Sequence, residues 1–292
     1  MKIGIDLGGS HIAVGIVTQE GNLLVSQEEN ISVINNENVK QLIRDKILSL
    51  ISCVLKQMQL QISSIKEIGI GIPGIVKENI IEKCEKYGIY NWDLAREIEE
   101  IYKIPVKLQN DALCAAKAEY KYGNLKDVKK AVFLCLGTGI GGATILGNNI
   151  FPSEYGHMVI NLEGTKCHCN KKGCFETYSS MRAFKIGMIE LLRLDKNTKS
   201  QELLKILREQ KDNNVLNNYI DKYINNLSIG ISNIINIISP EKICIGGSFT
   251  YFEDILFVRL IEKINNMKYQ FETPQMVLAK LENRAGIIGA TL

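Results

Sequence analysis

Apolar and polar positions follow a regular pattern from the first residues of the chain. In the segment KIGIDL, residues 2–7, every second position is apolar, which is the period of a β-strand. Segments 11–17 and 23–27 predict a second and a third strand, and Glu20-Gly21-Asn22 supplies the turn between them. The period then changes: from Val39 to Met58 apolar residues recur every three or four positions, which predicts an amphipathic helix.

Shorter apolar runs and breaks divide the rest of the chain. Pro73-Gly74 stops a strand at 68–72, and a strand at 104–108 leads into a helix from Asp111 through Tyr122. We predict further strands at 131–136, 141–146, 242–245 and 276–279. We predict helices at 176–194, 200–209 and 217–238, another that follows the turn at 246–248 and ends at about 264, and a last one from 285 onward. Two runs of strands, each followed by helices and a further strand, indicate two α/β lobes that share a cleft.

Composition and charge narrow the class of protein. The chain has 292 residues, of which 46% are apolar and 23% charged, values that are ordinary for a globular enzyme. Its 35 basic and 32 acidic residues are scattered along the chain, so we expect neither nucleic acid nor a membrane as a partner. Residues 1–17 have no unbroken apolar core, and no later run resembles a membrane helix. These features predict a cytoplasmic protein.

Three glycine turns each follow an apolar strand. They are DLGGS with Asp6, Gly8, Gly9 and Ser10, GTGIGG beginning at Gly137, Thr138 and Gly139, and GGS with Gly246 and Gly247. Glycine lets backbone N–H groups approach a phosphate closely, and an acid such as Asp6 can hold Mg²⁺ through water. None of the turns fits the Walker or dinucleotide patterns, and glycine-rich hairpins are common. Together they favour a nucleotide in the cleft.

Residues 156–176 hold two of the three histidines and three of the eight cysteines. His157, Cys167, Cys169 and Cys174 offer one imidazole and three thiolates, a tetrahedral Zn²⁺ set with no position left for water. A closed set of this kind predicts a structural metal. The alternative is a hairpin with incidental cysteines. We expect His168, between two of the ligands, to point outward.

Acidic residues near this loop and before the predicted helix 111–122 are candidates for chemistry. Glu154 and Glu176 flank the loop, and Asn110-Asp111 stands at a strand-to-helix junction. Asp111 fits a helix N-cap as well as a general base that accepts a hydroxyl proton during phosphoryl transfer. The pattern alone leaves both roles open.

With these motifs the chain resembles the ROK family of sugar kinases, nearly end to end. DLGGS and LGTGIGG are similar to the family's two phosphate loops, and LQNDALCAA to the block with its catalytic aspartate. IGGS and ENRAGIIGA resemble its adenosine-side turn and C-terminal helix. The most specific match is the segment from Glu154 to Glu176, with Glu before Gly-His, a CxC, and Gly-Cys-x-Glu.

The resemblance implies a fold and a set of roles. The fold is the two-lobed actin-like ATPase (ribonuclease H-like) fold with a ligand cleft between the lobes, which we place at residues 1–110 with about 280–292 and at 111–279. The reaction is ATP-dependent phosphorylation of a hexose 6-hydroxyl by a homodimer with Mg²⁺ and structural Zn²⁺. Asp111 is the base; sugar is bound by Asn110, Glu154, His157, Glu176 and Gly74; nucleotide and Mg²⁺ are bound by Asp6, Gly8, Gly9, Ser10, Gly137, Thr138, Gly139, Gly246 and Gly247.

The chain departs from the family pattern at several positions. Ser10 stands where Thr is usual, Leu113 replaces an Asn, Asn170 replaces a Gly after CxC, and Arg284 replaces an acid. The stretch 147–154 is shorter than the corresponding loop of family glucokinases, which bears on the choice of sugar. We expect glucose first, then N-acetylmannosamine or fructose. The other readings are a family repressor, disfavoured because the phosphate loop begins at residue 6, and a catalytically silent sugar sensor.

Overall fold

The computed structural model describes residues 1–9, 11–31, 38–267, 269 and 272–292. Ser10, one of the predicted phosphate-binding residues, therefore lies outside the described residues. The chain divides into two compact units, Met1–Lys126 with Lys280–Leu292, and Asp127–Ala279. The second unit begins at Asp127, further along the chain than the predicted boundary at residue 111.

The first unit is built on a five-stranded sheet with a small second sheet beside it. The large sheet has the order β3-β2-β1-β4-β8, in which β1, β4 and β8 run parallel and β2 and β3 are antiparallel to their neighbours. The small sheet has the order β5-β6-β7. The elements are β1 (Lys2–Leu7), β2 (His11–Val17), β3 (Leu23–Asn30), α1 (Val39–Gln57), β4 (Ile68–Ile72), β5 (Ile75–Lys77), β6 (Ile80–Cys84), β7 (Ile89–Trp92), α2 (Leu94–Tyr102), β8 (Val106–Asn110) and α3 (Asp111–Tyr122).

The predicted periods account for this core. In β1, Ile3, Ile5 and Leu7 are completely buried, and α1 buries its apolar stripe, including Ile43 and Ile47, in the same cluster. Removing this apolar surface from water is the main stabilising term for the unit. The small sheet and α2 are not among the predicted elements, although Asp93 caps α2 by accepting a hydrogen bond from the Arg96 amide at 3.2 Å.

The second unit has a five-stranded sheet of its own, packed with helices. Its order is β11-β10-β9-β12-β13, with β12 parallel to β9 and β13 and the other pairs antiparallel. The elements are β9 (Lys130–Leu136), β10 (Ile140–Leu146), β11 (Asn149–Pro152), α4 (Phe175–Ser179), α5 (Met181–Leu192), α6 (Ser200–Glu209), α7 (Asn214–Ile238), β12 (Lys242–Gly246), α8 (Val258–Asn265) and β13 (Gln275–Leu278), and the chain ends with α9 (Arg284–Ala290) in the first unit.

Helix α3 belongs with the first unit because it packs tightly on α9. An added Cβ at Gly289 would lie 1.7 Å from the Cys114 carbonyl oxygen, so only glycine permits this approach. The fully buried Glu119 of α3 also accepts a hydrogen bond from the Leu281 amide at 2.7 Å. In the described ranges, no helix combines the length and apolar character needed to cross a bilayer.

Candidate functional site

Two candidate carboxylates stand at the same edge of the first unit's sheet. Asp6 lies near the end of β1, and Asn110 ends β8, with β4 between the two strands. Gly71 of β4 pairs in register with Asp6, and the Asp111 Cα lies 3.5 Å from where a Gly71 Cβ would be. Parallel strands that end together present their ligands at this edge, which is the usual binding position in α/β proteins.

The structure decides which residue caps α3. The Asn110 Oδ1 accepts a hydrogen bond from the Leu113 amide at 3.0 Å, and the Asn110 Nδ2 donates to the Gly74 carbonyl oxygen at 3.1 Å. The N-cap interpretation of Asp111 is therefore wrong. Asp111 is the first residue of the helix, and its Oδ1 accepts from the Ala112 amide at 2.8 Å. The two hydrogen bonds of Asn110 fix the backbone next to Asp111 and so help to position the Asp111 carboxylate.

The first glycine turn is held by two side chains that sequence analysis did not single out. The buried Tyr87 donates its hydroxyl proton to the Gly8 carbonyl oxygen at 2.5 Å. The His11 ring packs directly on Gly8, where an added Cβ would lie 2.4 Å from its Cε1. The next residue, Gly9, is half-buried. The sequence around Tyr87 gives no signal for this contact, since a tyrosine that only fills the core would look the same.

Burial sets the proton affinity of Asp6. Its side chain is 17% exposed, and its Oδ2 lies 3.9 Å from the His11 Nε2. Desolvation, followed by the negative charge of Glu28, raises the pKa of Asp6 from 3.8 to about 6. On α9, Gly286 approaches so closely that an added Cβ would lie 2.3 Å from the Asp6 Oδ2. A bound cation would favour the ionised carboxylate here.

The second and third glycine turns meet at one edge of the second unit's sheet. Gly137 to Gly139 join β9 to β10. Gly246 ends β12, which runs parallel to β9, and Gly247 follows it. Gly247 has a φ of +77°, and an added Cβ there would lie 2.5 Å from the Leu136 carbonyl oxygen. The side chain of Thr138 is exposed at the tip of the first of these turns. The predicted phosphate and adenosine turns of this unit are thus neighbours.

The four predicted zinc ligands converge in the second unit. The ligand atoms of His157, Cys167, Cys169 and Cys174 all lie within 4.8 Å of one another. The Cys169 and Cys174 sulfurs are 3.5 Å apart, and the Cys167 sulfur is 3.7 Å from the His157 Nδ1. Tetrahedral ligands at zinc–sulfur bond lengths are separated by about 3.7 Å, so the donor set fits Zn²⁺. The Nδ1 of His157 faces the thiols, which leaves its Nε2 on the other side.

Asn170 gives this loop its turn. It has a φ of +66°, in the left-handed region that the usual glycine would occupy. Asparagine accepts this conformation more readily than most side chains, so the departure from the family pattern leaves the loop path intact.

Glu176 lies where residues 157–174, which carry the four predicted zinc ligands and are called the metal loop below, approach a glycine turn. Its side chain is 9% exposed, and its Oε1 is 3.2 Å from the Cys167 sulfur. Its Oε2 accepts a 3.4 Å hydrogen bond from the Ile140 amide and lies 2.6 Å from where a Gly139 Cβ would be. One carboxylate therefore contacts both the metal loop and the end of the second glycine turn.

The expectation that His168 points outward is wrong for one edge of its ring. The Nδ1 lies 3.0 Å from the Glu176 Oε1 and 3.7 Å from the Cys167 sulfur, although half of the side chain is exposed. The ring also packs edge-on against His157, with centroids 5.1 Å apart. The scarcity of histidine elsewhere in the chain is the sequence signal that could have indicated an inward contact for His168.

The short stretch 147–154 forms a tight hairpin. β10 and β11 pair through the turn at Gly147 and Asn148, and the Thr144 hydroxyl lies 2.7 Å from that of Ser153 and 2.6 Å from that of Tyr155. This leads directly to Glu154, whose side chain is 71% exposed with its Oε2 at 3.9 Å from the His157 Nε2. A predicted sugar ligand is thus open to solvent beside the outer nitrogen of His157.

Comparison with known proteins defines the class. The sequence profile of the ROK family matches residues 2–292, so the chain belongs to the ROK family. It is similar to a putative xylose repressor of Caldicellulosiruptor sp. Rt8B.4, with 27% identity over 76% of this chain and 60% of that protein. The chain thus spans about 60% of the length of that repressor.

Kinases are also among the relatives. The glucokinase of Streptomyces coelicolor is 25% identical over 99% of this chain and 96% of that one. A ROK family glucokinase from Streptomyces griseus, solved with glucose and AMPPNP, superposes with a TM-score of 0.84, 22% identity and coverage of 99% and 97%. The predicted actin-like two-lobed fold is confirmed by this likeness.

Proposed function

We propose that this protein is a sugar kinase that transfers the γ-phosphoryl group of ATP to the 6-hydroxyl of a hexose, with glucose as the first candidate. The observation that carries the proposal is the arrangement at one sheet edge of the first unit. There Asp6 is the last residue but one of β1, Asn110 caps α3, and Asp111 follows at the first position of that helix. A family member that only senses sugar needs neither carboxylate for chemistry.

Asp111 is the proposed base. Its carboxylate accepts the proton of the 6-hydroxyl while that oxygen forms a bond to the γ-phosphorus and the bond to the ADP oxygen breaks. The proton then leaves to solvent. Because Asn110 is bonded to both the Leu113 amide and the Gly74 carbonyl, the carboxylate starts from a fixed backbone. Positioning of this kind supplies much of the rate in phosphoryl transfer.

Sugar binding is proposed for Asn110, Gly74, Glu154, His157 and Glu176. The outer Nε2 of His157, close to Glu154, is suited to hydroxyl groups, while its Nδ1 faces the thiols. Cys167, Cys169, Cys174 and His157 would hold Zn²⁺, which supplies rigidity and takes no part in the chemistry.

Nucleotide binding is proposed for Asp6, Gly8, Gly9 and Ser10 and for Gly137 to Gly139, with Gly246 and Gly247 on the adenosine side. Mg²⁺ held near Asp6 would neutralise phosphate charge. We further propose a homodimer, tested by light scattering, that works in the cytoplasm, where its thiols stay reduced.

A sugar-binding regulator is the second candidate, because the chain is also 27% identical to a xylose repressor. The two are separated by incubating the purified protein with Mg·ATP and glucose, mannose, fructose, N-acetylglucosamine, N-acetylmannosamine or xylose, and measuring ADP. Calorimetry on the same sugars reports binding alone. The kinase proposal is supported if one hexose leads to ADP release and if Asp111→Asn lowers that rate by about 10²-fold or more while it still binds the sugar. Sugar binding without ADP release rejects it in favour of the regulator.

A further inference from the structure

We propose that His168 is a positioning residue that holds the Glu176 carboxylate in the metal-loaded protein and thereby sets sugar affinity. The inference rests on the proposed sugar-binding role of Glu176. It starts from the surroundings of one atom, the Glu176 Oε1. The atoms that approach it include the His168 Nδ1 at 3.0 Å, the Cys167 sulfur at 3.2 Å and the His157 Nδ1 at 3.8 Å.

Metal binding removes two of these groups as donors. Cys167 and His157 belong to the four-ligand group, and a coordinating thiol loses its proton while a coordinating imidazole nitrogen uses its lone pair. The thiol that donates to Glu176 becomes a thiolate, and the Nδ1 of His157, which faces the thiols, carries no proton. A thiolate and a carboxylate 3.2 Å apart then repel each other.

His168 is the remaining donor of the three. Its Nδ1 is 3.0 Å from the carboxylate oxygen and 3.7 Å from the sulfur, so one N–H faces two acceptors. In the metal-loaded protein both the carboxylate and the thiolate accept, so a hydrogen bond to either of them needs the proton on Nδ1. The ring is held from behind by its edge-on contact with His157. The Nδ1–H group thus offsets the repulsion and orients the carboxylate.

The second oxygen of Glu176 makes a weaker contact. It accepts the long 3.4 Å bond from the Ile140 amide, and the side chain is 9% exposed, so water screens the charge only slightly. Without His168 the carboxylate would turn away from the sulfur. A sugar hydroxyl would then meet a carboxylate at a changed angle.

Variants of position 168 test the inference in the zinc-loaded protein. His168→Leu removes the donor, whereas His168→Asn keeps an N–H one bond from Cγ, as in Nδ1. We expect the dissociation constant and KM for the hexose to rise about tenfold in His168→Leu, the scale of one hydrogen bond to a charged group, with kcat changed less than about threefold. His168→Asn should restore most of the affinity. The exposed Lys166→Ala in the same loop is the control and should bind sugar as the wild type does.

Wild-type sugar affinity in His168→Leu, or an equal loss of affinity in His168→Leu and His168→Asn, would overturn the inference. The zinc content of each variant is measured as well, because a value near one per chain shows that a loss of affinity does not come from a loss of metal. Nitrogen-15 NMR of the three histidines at pH 8 gives a second readout that needs no sugar. We expect the Nδ1–H tautomer for the signal that His168→Asn removes, and the Nε2–H tautomer would contradict the contact. A wild-type protein that phosphorylates no hexose rejects the proposed function, while the NMR result still decides the contact.

Discussion

Replacing Asp6 by Asn should stabilise the first unit at neutral pH. Burial, with Glu28 as a further cause, raises the pKa of Asp6 from 3.8 to about 6. The folded protein therefore holds this proton more tightly than the unfolded chain does. Below about pH 4 both states are protonated and nothing is lost, and above about pH 6 both are ionised and the folded state carries the full penalty of the buried charge.

The size of the effect follows from the shift. Two pKa units at 1.36 kcal/mol each correspond to about 3 kcal/mol, of which about 2 kcal/mol develops between pH 4.5 and 7.5. The groups that face Asp6 are His11 on β2, at 3.9 Å, and Glu28 on β3, with Tyr87 and Cys114 close enough for the Asp6 charge to raise their pKa values. Asparagine keeps the shape beside Gly286 without the charge.

The assay is urea unfolding followed by fluorescence at several pH values. The chain has one tryptophan, Trp92, which is 3% exposed in β7, so its signal reports the first unit. The difference in free energy of unfolding between Asp6→Asn and the wild type should increase in favour of the variant as the pH rises. The control is Asp45→Asn, whose side chain is 55% exposed and which should change stability by less than about 0.5 kcal/mol at every pH. A gap between Asp6→Asn and the wild type that stays constant with pH would refute the reasoning.

Three further changes test other parts of the structure. Cys167→Ser should lower the zinc content below one per chain, the melting temperature and the sugar affinity together, as measured by metal analysis, thermal unfolding and calorimetry; full zinc content would contradict the ligand set. Gly289→Ala should cost about 2 kcal/mol by Trp92 fluorescence, because the new Cβ would meet the Cys114 carbonyl oxygen at 1.7 Å; a gain in stability, as for a helix with free space, would contradict that packing. Glu119→Gln should cost about 2 kcal/mol in the same assay, because the buried Glu119 carboxylate accepts from both the Leu281 and the Asn124 amides, and one of these N–H groups would face the amide nitrogen of Gln; an unchanged midpoint would reject that role.

The period of apolar residues predicted the long elements well. The strand at Ile68–Ile72 and the helices Asp111–Tyr122 and Ser200–Glu209 have the predicted bounds, because each ends at a strong stop signal or a loss of period. The single helix predicted at 176–194 is divided at Ser180, whose hydroxyl oxygen accepts a 3.2 Å hydrogen bond from the Ala183 amide and caps the second part. Because the helical period of apolar residues continues on both sides of Ser180, the sequence does not show that one helix ends and another begins there.

The missed elements are short and depend on packing. Strands β5 and β11 have three and four residues, too few to show alternation. Helix α2 is nine residues long and carries its buried side chains in less than two turns, including Leu94 and Ile98. Such segments form because the rest of the unit covers their apolar face, and this information is not local to the sequence.

For the site, ligand type and spacing predicted that His157, Cys167, Cys169 and Cys174 would gather, and the structure brings these four side chains together. Ligand type and spacing were not enough to predict orientation. Asn110 and Asp111 both suit a helix start, and only the backbone path assigns the cap to Asn110. The direction of the His168 ring likewise depends on the turn at Asn170 and on the charge of a residue eight positions later along the chain.

Glu176 couples regions that the sequence presents as separate motifs. Its one carboxylate contacts the Cys167 sulfur of the metal loop and the Ile140 amide at the end of a glycine turn. A shift of this side chain toward either contact weakens the other, because the two oxygens are rigidly joined. If the metal loop binds sugar and the turn binds phosphate, the two affinities cannot be independent, and by linkage each ligand must change the affinity of the other by the same factor. A carboxylate shared in this way gives a physical reason for the signature to end on Glu rather than on the last metal ligand.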